Sequence, residues 1–256
     1  MNGEIIVERN GPVVTLTLSN PSRRNSLTFA MYDQFERQCK VIAEDPAVRV
    51  LVLRGAGGNF AGGTDIRHFT ALTSGEQGVE YEAYIRRVQT ALLDLRIPVV
   101  AVVEGVCVGG GLVFAALSDL VYCTPDARFG SPIAHTLGNT LSAASLARLH
   151  ACFGRRRTSQ MLLTGELLTA QQALDAGFVT AVEDSQLEAR VGECISAILR
   201  TAPLSIRSFK ELERRIDHGH SMVPTEDVYV SVYGSADFRE GVESFLEKRK
   251  ANFKGA

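Results

Sequence analysis

The sequence contains no tryptophan, few cysteines and no excess of charge of either sign, and these absences narrow its class. Among 256 residues, 27 Lys and Arg stand against 29 Asp and Glu, which gives a net charge of −2. A broad basic surface for nucleic acid or an anionic membrane is therefore not expected. With 45% hydrophobic and 22% charged residues, the composition is that of a globular protein rather than a disordered one. The length fits one large domain, or one domain with an appendage.

The cysteines are too scattered to form a disulfide framework. Five occur, at Cys39, Cys107, Cys123, Cys152 and Cys194, without a Cys-x-x-Cys pair. This pattern predicts reduced thiols in a cytoplasmic protein, and neither disulfides nor a zinc site. The first residues lack a basic stretch followed by an apolar one, so no signal peptide is expected. His218 and His220 have no obvious third metal ligand nearby, which favours a surface turn.

One apolar run is long enough to cross a membrane. Residues 98–117 carry a single charge, Glu104. Four glycines, at 105 and 109–111, interrupt the run, and each costs about 1 kcal/mol inside a helix. The β-branched first half favours a strand. We therefore predict a strand, a turn and a short helix instead of a membrane span.

The hydrophobic pattern predicts an α/β body followed by a helical part. Strands are predicted over 13–18, 48–53, 99–103 and 120–123, and helices over 29–43, 80–95 and 112–117. Strand 99–103 is almost wholly apolar, as in a sheet covered on both faces. Strands become scarce after Val182, and helices are predicted over 187–199, 203–216 and 236–248. We divide the chain into an α/β body, residues 1–195, and a helical part, residues 196–256.

Two predicted strands are each followed by a glycine-rich loop. These loops span Phe60–Ile66 and Gly105–Leu112. Glycine allows a ligand to approach the main chain, and the free N–H groups that open a helix attract negative charge. Two such N–H groups brought together form an oxyanion hole. The alternative, two tight turns without a ligand, is equally compatible with the spacing. Neither loop is a P-loop or a dinucleotide fingerprint, because Gly-Lys-[Ser/Thr] is absent and Phe114 occupies the third glycine position.

Six motifs in one order resemble those of the enoyl-CoA hydratase/isomerase (crotonase) family. Each motif alone is weak, but together they cover nearly the whole chain. They are Thr17–Leu27, Phe60–Ile66, Val103–Leu112, Ala127–Pro132, Leu163–Ala170 and Glu240–Gly255. The resemblance implies a crotonase-like ββα superhelix with a C-terminal helical trimerisation region. It also implies a coenzyme A (CoA) thioester as substrate, no cofactor beyond that CoA, and a homotrimer or homohexamer.

The resemblance also assigns roles to particular residues. The backbone N–H groups of Thr64 and Gly110 match the family's oxyanion donors. Positions that match CoA-binding residues are Arg24, Ser26, Leu27, Gly62, Asp65, Ile66, Phe253 and Lys254. Taken by itself, Asp65 is better explained as a structural residue that caps a helix.

The departures from the family concern proton transfer. Hydratases of the family use two glutamates to position and split water, and these positions hold Val113 and Ile133 here. Family isomerases commonly keep the second glutamate, and the family's dehalogenase has an aspartate where Thr140 follows Gly138-Asn139. General acid–base groups contribute about 10²–10⁴-fold each. The sequence thus predicts the carbonyl-polarising groups without the family's proton-transferring ones.

Several residues are candidates to replace those glutamates. His135 lies two residues beyond Ile133, and an imidazole titrates near neutral pH. Glu104, Tyr229 and Tyr233 are weaker candidates. The leading hypothesis is an enzyme, of the lyase or isomerase class, that acts on an acyl- or enoyl-CoA. The alternatives are a decarboxylase or hydrolase of CoA thioesters and a non-catalytic acyl-CoA-binding paralogue.

Overall fold

The computed structural model describes residues 3–201, 203, 206–213 and 226–252. Within them the strands are β1 (Glu4–Asn10), β2 (Val13–Ser19), β3 (Val50–Gly55), β4 (Val99–Val103), β5 (Val106–Val108), β6 (Leu120–Cys123), β7 (Arg128–Gly130), β8 (Leu168–Thr169) and β9 (Ala181–Val182). The helices are α1 (Phe29–Glu44), α2 (Gly75–Leu93), α3 (Gly110–Leu117), α4 (Ile133–Thr136), α5 (Ala143–Thr164), α6 (Ala170–Asp175), α7 (Leu187–Leu199), α8 (Glu226–Tyr233) and α9 (Ala236–Leu246). Residues 206–213 are also helical.

The larger sheet has the order β1-β2-β3-β4-β6-β9 and is parallel except for the hairpin β1-β2. Every residue of β4 is buried, because both faces of the sheet are covered. On one face Val100 and Val102 pack with Leu187 and Val191 of α7, while the other face joins the main core. The prediction that strand 99–103 belongs to a sheet covered on both faces is confirmed.

A smaller sheet, β5-β7-β8, lies alongside and supports the loops. Bridges from Ala61 to Cys107 and from Leu27 to Thr64 extend this layer to the first glycine-rich loop. Along the chain, a strand of the large sheet is followed by an extended segment of the small layer and then by a helix. This ββα succession places both glycine-rich loops at the same edge.

The apolar run at 98–117 folds as β4, β5 and α3. The strand, turn and helix are confirmed, and the short strand β5 was not predicted. Gly105 and Gly109 adopt φ of 53° and 54°, a left-handed backbone that accommodates glycine readily. Among the described residues, no helix is long and apolar enough to cross a membrane.

Helix α2 begins at Gly75, five residues before the predicted start at Glu80. Ser74 caps it by accepting a hydrogen bond from the Gln77 N–H at 3.4 Å. Gly75 and Gly78 fall in the first turns of α2, although glycine is a poor helix former. They are explained by packing: a Cβ on Gly75 would lie 2.2 Å from the Val230 carbonyl oxygen, and one on Gly78 would lie 2.2 Å from Tyr233 Cγ. These glycines let α8 lie directly on α2.

The C-terminal half agrees with the prediction only in part. Helices occupy most of the described residues after Ser142, and no strand follows Val182 among them. The proposed division after residue 195 falls inside α7, and it stays a prediction. The predicted helix 203–216 lies partly outside the described residues, as do His218 and His220. All five cysteines are free thiols.

Candidate active site

A cavity of about 740 Å³ lies where the two glycine-rich loops face α2 and the segment after β7. One loop contributes Gly62–Ile66 and the other contributes Val106 and Val108–Gly110. The inner wall is formed by Tyr32, Phe69, Tyr81, Glu82, Ile85, Gln89, Val113, Ile133, Leu137, Asn139 and Leu141. The mouth is lined by Ser22, Arg23, Arg24, Ser26, Arg67, Phe245, Leu246 and Lys248. A volume of this size holds a small-molecule ligand.

The pairing of the two loops places Thr64 and Gly110 in matching positions. The Ala61 N–H donates to the Val106 carbonyl at 2.9 Å, and the Val108 N–H donates to the Ala61 carbonyl at 3.0 Å. Thr64 and Gly110 each follow the paired residues Ala61 and Cys107 by three positions. A Cβ on Gly110 would lie 3.6 Å from Thr64 Oγ1. The structure therefore brings together the two predicted oxyanion donors.

The N–H groups of both residues are left unused by the fold. The bridge to Leu27 uses the Gly63 carbonyl and the Asp65 N–H, at 2.8 and 2.9 Å, and passes over the Thr64 N–H. Gly110 is the first residue of α3, where helix geometry offers no acceptor. In the part of the chain that the structure describes, neither N–H donates a hydrogen bond. Both residues line the cavity, and neither N–H is committed to an acceptor within the described fold.

Three hydroxyl groups form a chain behind this pair. Tyr32 Oη lies 2.8 Å from Thr64 Oγ1, which lies 3.1 Å from Tyr81 Oη. Burial raises the pKa of both tyrosines far above neutrality, so both keep their protons. The chain fixes the Thr64 side chain, and Tyr32 Oη also occupies the space beside Gly110, 2.6 Å from where a Cβ would lie.

Glu82 of α2 is a functional candidate that the sequence analysis missed. It lines the cavity, and only 9% of it is exposed. Tyr233 donates a hydrogen bond to its Oε1. Burial raises the pKa of this carboxyl to about 7, and the hydrogen bond from Tyr233 opposes the rise. The available signal was weak, because Glu80 and Glu82 suggest the solvated face of a helix.

A second buried glutamate shows how different the surroundings of Glu82 are. Glu36 of α1 accepts hydrogen bonds from Lys40 Nζ at 2.6 Å and Arg87 Nε at 2.9 Å. Burial alone would raise its pKa, but these two cations lower it below the usual value. Glu36 is thus held ionised outside the cavity, whereas Glu82 is held by a neutral phenol inside it.

The two positions that matched the family's glutamates are part of the cavity wall. Val113 is 4% exposed and Ile133 is half-buried, and both are apolar. His135 does not join them. His135 is exposed, on the side of the single-turn helix α4 that faces away from the cavity. Its neighbour there is Gly165, on which a Cβ would lie 3.0 Å from the His135 Cβ. A role for His135 in proton transfer therefore has no support from its position.

Most of the predicted CoA-binding residues line the cavity, either at its mouth or along the first glycine-rich loop. Arg24, Ser26, Gly62, Asp65 and Ile66 line it. Leu27 is buried and does not line it, but its main chain holds the loop through Gly63 and Asp65. Phe253 and Lys254 lie outside the described residues.

Asp65 has a structural role as well. Its Oδ1 accepts a hydrogen bond from the Arg67 N–H at 3.1 Å, which caps the 3-10 helix Ile66–Ala71. Its carboxylate also pairs with the Arg67 guanidinium, and the hydrogen bonds from this group hold the Asp65 pKa below its usual range. The interpretation of Asp65 as a helix cap is confirmed. Among the described residues, no group of three or more His, Cys, Asp or Glu side chains suits a metal ion.

Comparison with known proteins identifies the family. Residues 8–256 match the model of the enoyl-CoA hydratase/isomerase family. The chain belongs to this family. It is 31% identical over 258 residues to the 2,3-dehydroadipyl-CoA hydratase of Escherichia coli (strain K12), covering 98% of this chain and 99% of that protein. It is 33% identical over 214 residues to the enoyl-CoA delta isomerase 2 of Rattus norvegicus, covering 82% of this chain and 54% of that protein.

Solved structures agree with this assignment and give the crotonase fold. A methylmalonyl-CoA decarboxylase in complex with 2-nitronate-propionyl-CoA superposes with a TM-score of 0.89 at 25% identity, covering 99% of each chain. The predicted family and fold are therefore confirmed. Members similar to this chain include hydratases, isomerases and decarboxylases, so the chain is a crotonase-family enzyme that acts on acyl-CoA, while its reaction must be argued from its own residues.

Proposed function

We propose that this enzyme polarises the carbonyl of a CoA thioester between the N–H groups of Thr64 and Gly110 and stabilises the enolate that forms. The observation that carries the proposal is the pairing of the two loops, which leaves both N–H groups unused at the wall of a cavity of about 740 Å³. Fixed donors aimed at a developing oxyanion are worth about 2.7–4 kcal/mol each.

The mouth of the cavity suits the nucleotide end of CoA. Arg24 and Lys248 place cationic side chains there, and phosphates are bound well by such groups. Arg24 has φ of 50°, a left-handed conformation that follows the short helix Pro21–Arg23. We assign CoA binding to Arg24, Ser26, Gly62, Asp65 and Ile66, with Phe253 and Lys254 as further predicted contacts. The trimer or hexamer and the cytoplasmic location also stay predictions.

Hydration of an enoyl-CoA is poorly supported by the same cavity. Addition of water to a double bond needs one group to take a proton from water and one to deliver a proton to the α-carbon. Val113 and Ile133 do neither, and their apolar surfaces disfavour a held water. Isomerisation through an enolate needs only one proton-transferring group, whereas hydration needs two. Because Ile133 stands where family isomerases commonly keep their glutamate, we propose isomerisation with that group located elsewhere in the cavity.

Decarboxylation is a second candidate. Loss of CO₂ from a 2-carboxyacyl-CoA leaves an enolate directly, so it needs the oxyanion hole but no base. The likeness to methylmalonyl-CoA decarboxylase, at a TM-score of 0.89, favours this candidate. A hydrolase and a non-catalytic acyl-CoA-binding paralogue remain the alternatives that turnover assays separate.

Hydration of crotonyl-CoA is expected to be far slower than about 10 s⁻¹, the turnover of a typical enzyme. Loss of the enoyl absorbance measures it. His135→Ala should leave the rate unchanged, because the side chain is exposed outside the cavity. The same preparations are assayed for isomerisation of a 3-enoyl-CoA and for decarboxylation of methylmalonyl-CoA. Crotonyl-CoA turnover at or above the typical rate would contradict the interpretation of Val113 and Ile133, whereas binding without any product would favour the non-catalytic paralogue.

A further inference from the structure

We propose that Glu82 is the acid–base catalytic residue of this enzyme, taking a proton from the α-carbon of the bound acyl thioester and returning it to the acyl chain. The inference rests on the proposed function, since it requires the thioester carbonyl to lie between Thr64 and Gly110. It assigns the role to a position on α2, away from the two positions now held by Val113 and Ile133.

Glu82 lies in the cavity wall, on the face of α2 that lines the cavity. Glu82, Ile85 and Gln89 follow one another at helical spacing, and all three line the cavity. Glu82 is buried, and among the described residues its only hydrogen-bond partner is Tyr233, at Oε1. Its second oxygen, Oε2, accepts no hydrogen bond in the same part of the chain. Oε2 is also not among the fully buried polar atoms that lack a partner, and Glu82 lines the cavity, so this oxygen is left for a ligand.

Tyr233 fixes the Glu82 side chain through a contact that a glycine on α2 makes possible. Gly78 lies one turn before Glu82, and a Cβ there would lie 2.2 to 2.4 Å from three atoms of the Tyr233 side chain. Because Gly78 has no Cβ, the Tyr233 side chain packs directly on α2. Its hydroxyl then reaches the carboxyl of Glu82, one turn further along the helix. Tyr233 is itself fully buried and packs against Tyr81 and Phe238. Tyr233 is therefore a positioning residue for Glu82.

Glu82 lines the same cavity as the two predicted oxyanion donors, Thr64 and Gly110. Tyr81, its neighbour in sequence, bonds to Thr64 Oγ1 at 3.1 Å. Tyr32 Oη lies beside Gly110. The charge of Glu82 contributes to raising the pKa of both tyrosines. Glu82, Thr64 and Gly110 line one cavity, and Tyr32 and Tyr81 both bond to the Thr64 side chain.

The pKa of Glu82 allows this residue both to accept a proton and to donate one. Burial raises its pKa to about 7, so the acid and the base are both populated near neutral pH. This is the range in which general acid–base catalysis is most effective. Glu36 lacks this property, since its two cationic partners keep it ionised.

The proposed step needs no other reactant. With a 3-enoyl-CoA, the Glu82 carboxylate removes a proton from the α-carbon, and the electrons of the broken C–H bond pass into a dienolate whose oxygen is held by Thr64 and Gly110. Protonated Glu82 then delivers that proton to the γ-carbon, the double bond moves from C3 to C2, and the carboxylate is restored. One carboxylate suffices for this transfer, whereas hydration requires two groups. With a saturated acyl-CoA, the same first step exchanges α-protons with solvent.

The test compares wild type, Glu82→Gln and Glu36→Gln. The two measurements are incorporation of deuterium at the α-carbon of butyryl-CoA in D₂O, by mass spectrometry, and isomerisation of 3-hexenoyl-CoA, by the absorbance of its conjugated product. Glu82→Gln keeps an acceptor for Tyr233 and is expected to lower both rates by about 10²–10⁴-fold. Its affinity for butyryl-CoA, measured by calorimetry, should change by less than about threefold, within the scatter of such contributions. Glu36→Gln removes a buried carboxylate outside the cavity and should retain both rates.

Tyr233→Phe tests the positioning role of Tyr233 through the pH dependence of α-proton exchange. A purely structural role of Tyr233 would leave that pH dependence unchanged. The wild-type exchange rate should rise with pH through about 7, where Glu82 ionises. Because the Tyr233 hydrogen bond lowers the Glu82 pKa, its removal should shift this rise to higher pH without abolishing exchange at high pH. An unshifted profile would overturn the positioning role of Tyr233.

Two outcomes would overturn the assignment of Glu82 while leaving the proposed function intact. One is wild-type exchange in Glu82→Gln, which would place the base elsewhere. The other is a wild type that binds butyryl-CoA and decarboxylates methylmalonyl-CoA but shows neither exchange nor isomerisation. Failure of the wild type to bind any CoA thioester would overturn both proposals together.

Discussion

Gly110→Pro is expected to lower turnover by about 10²–10³-fold relative to Gly110→Ala, the loss typical of one oxyanion-hole donor. Gly110 is the first residue of α3, where proline is well tolerated because its fixed φ suits the helix and the missing N–H has no helical acceptor. The substitution thus removes the donor from the site and leaves the helix in place. Gly110→Ala introduces a Cβ at the same position and keeps the N–H.

Both substitutions introduce a Cβ at position 110, and this atom would lie 2.6 Å from Tyr32 Oη. Both variants are therefore made in a Tyr32→Phe background, which removes that oxygen. The rates of α-proton exchange and of the best substrate in the thioester panel are compared between the two double variants. Circular dichroism melting checks that both fold. Equal rates in the proline and alanine variants would remove the Gly110 N–H from the mechanism.

Glu82→Gln is expected to stabilise the protein at high pH, in contrast to its effect on activity. Burial raises the Glu82 pKa from its usual 4.5 to about 7 in the folded state. Between these values the folded protein holds a proton that the unfolded chain has lost. Stability therefore falls as pH rises through this window, and the penalty is complete above pH 7. Glutamine does not titrate, so the advantage of the variant should grow by roughly 2–3 kcal/mol between pH 5 and pH 8.

Thermal unfolding at pH 5 and pH 8 measures this linkage. For a chain of this size the expected change in the Tm difference is roughly 5–10 °C. Glu36→Gln is the matched control and should behave in the opposite way: the Glu36 pKa is lowered, so its ionised form stabilises the fold above the unfolded pKa. That variant should lose stability at pH 8. A Glu82→Gln advantage that is the same at both pH values would show that Glu82 is ionised without penalty in the folded protein.

The glycine-rich loops and the central strands could be predicted because their signals are local. The unbroken apolar run of Val99–Val103 indicates a strand covered on both faces, and the glycines that follow indicate a turn at its end. The match of Phe60–Ile66 and Gly105–Leu112 to the family then identified Thr64 and Gly110. In each case the residues that determine the structure are neighbours in the chain.

Glu82 could not be predicted because its environment is assembled from distant segments. Its burial and its hydrogen bond depend on Tyr233, which is 151 positions away in the sequence. The same contact explains the error at the start of α2, since Gly75 and Gly78 disfavour a helix locally and are required by the packing of α8. His135 was favoured for its position in sequence near Ile133. The single-turn helix α4 turns its side chain away from the cavity, an orientation that spacing from Pro132 does not determine.

The most direct test of the oxyanion hole is a crystal structure of this enzyme with a nitronate analogue of an acyl-CoA, a stable mimic of the enolate. The account predicts that the Thr64 and Gly110 nitrogens both lie about 2.7–3.1 Å from the thioester oxygen of the bound analogue. It also predicts that a Glu82 carboxylate oxygen faces the α-carbon. Two nitrogens more than roughly 6 Å apart, too far to share one acceptor at those distances, would contradict it.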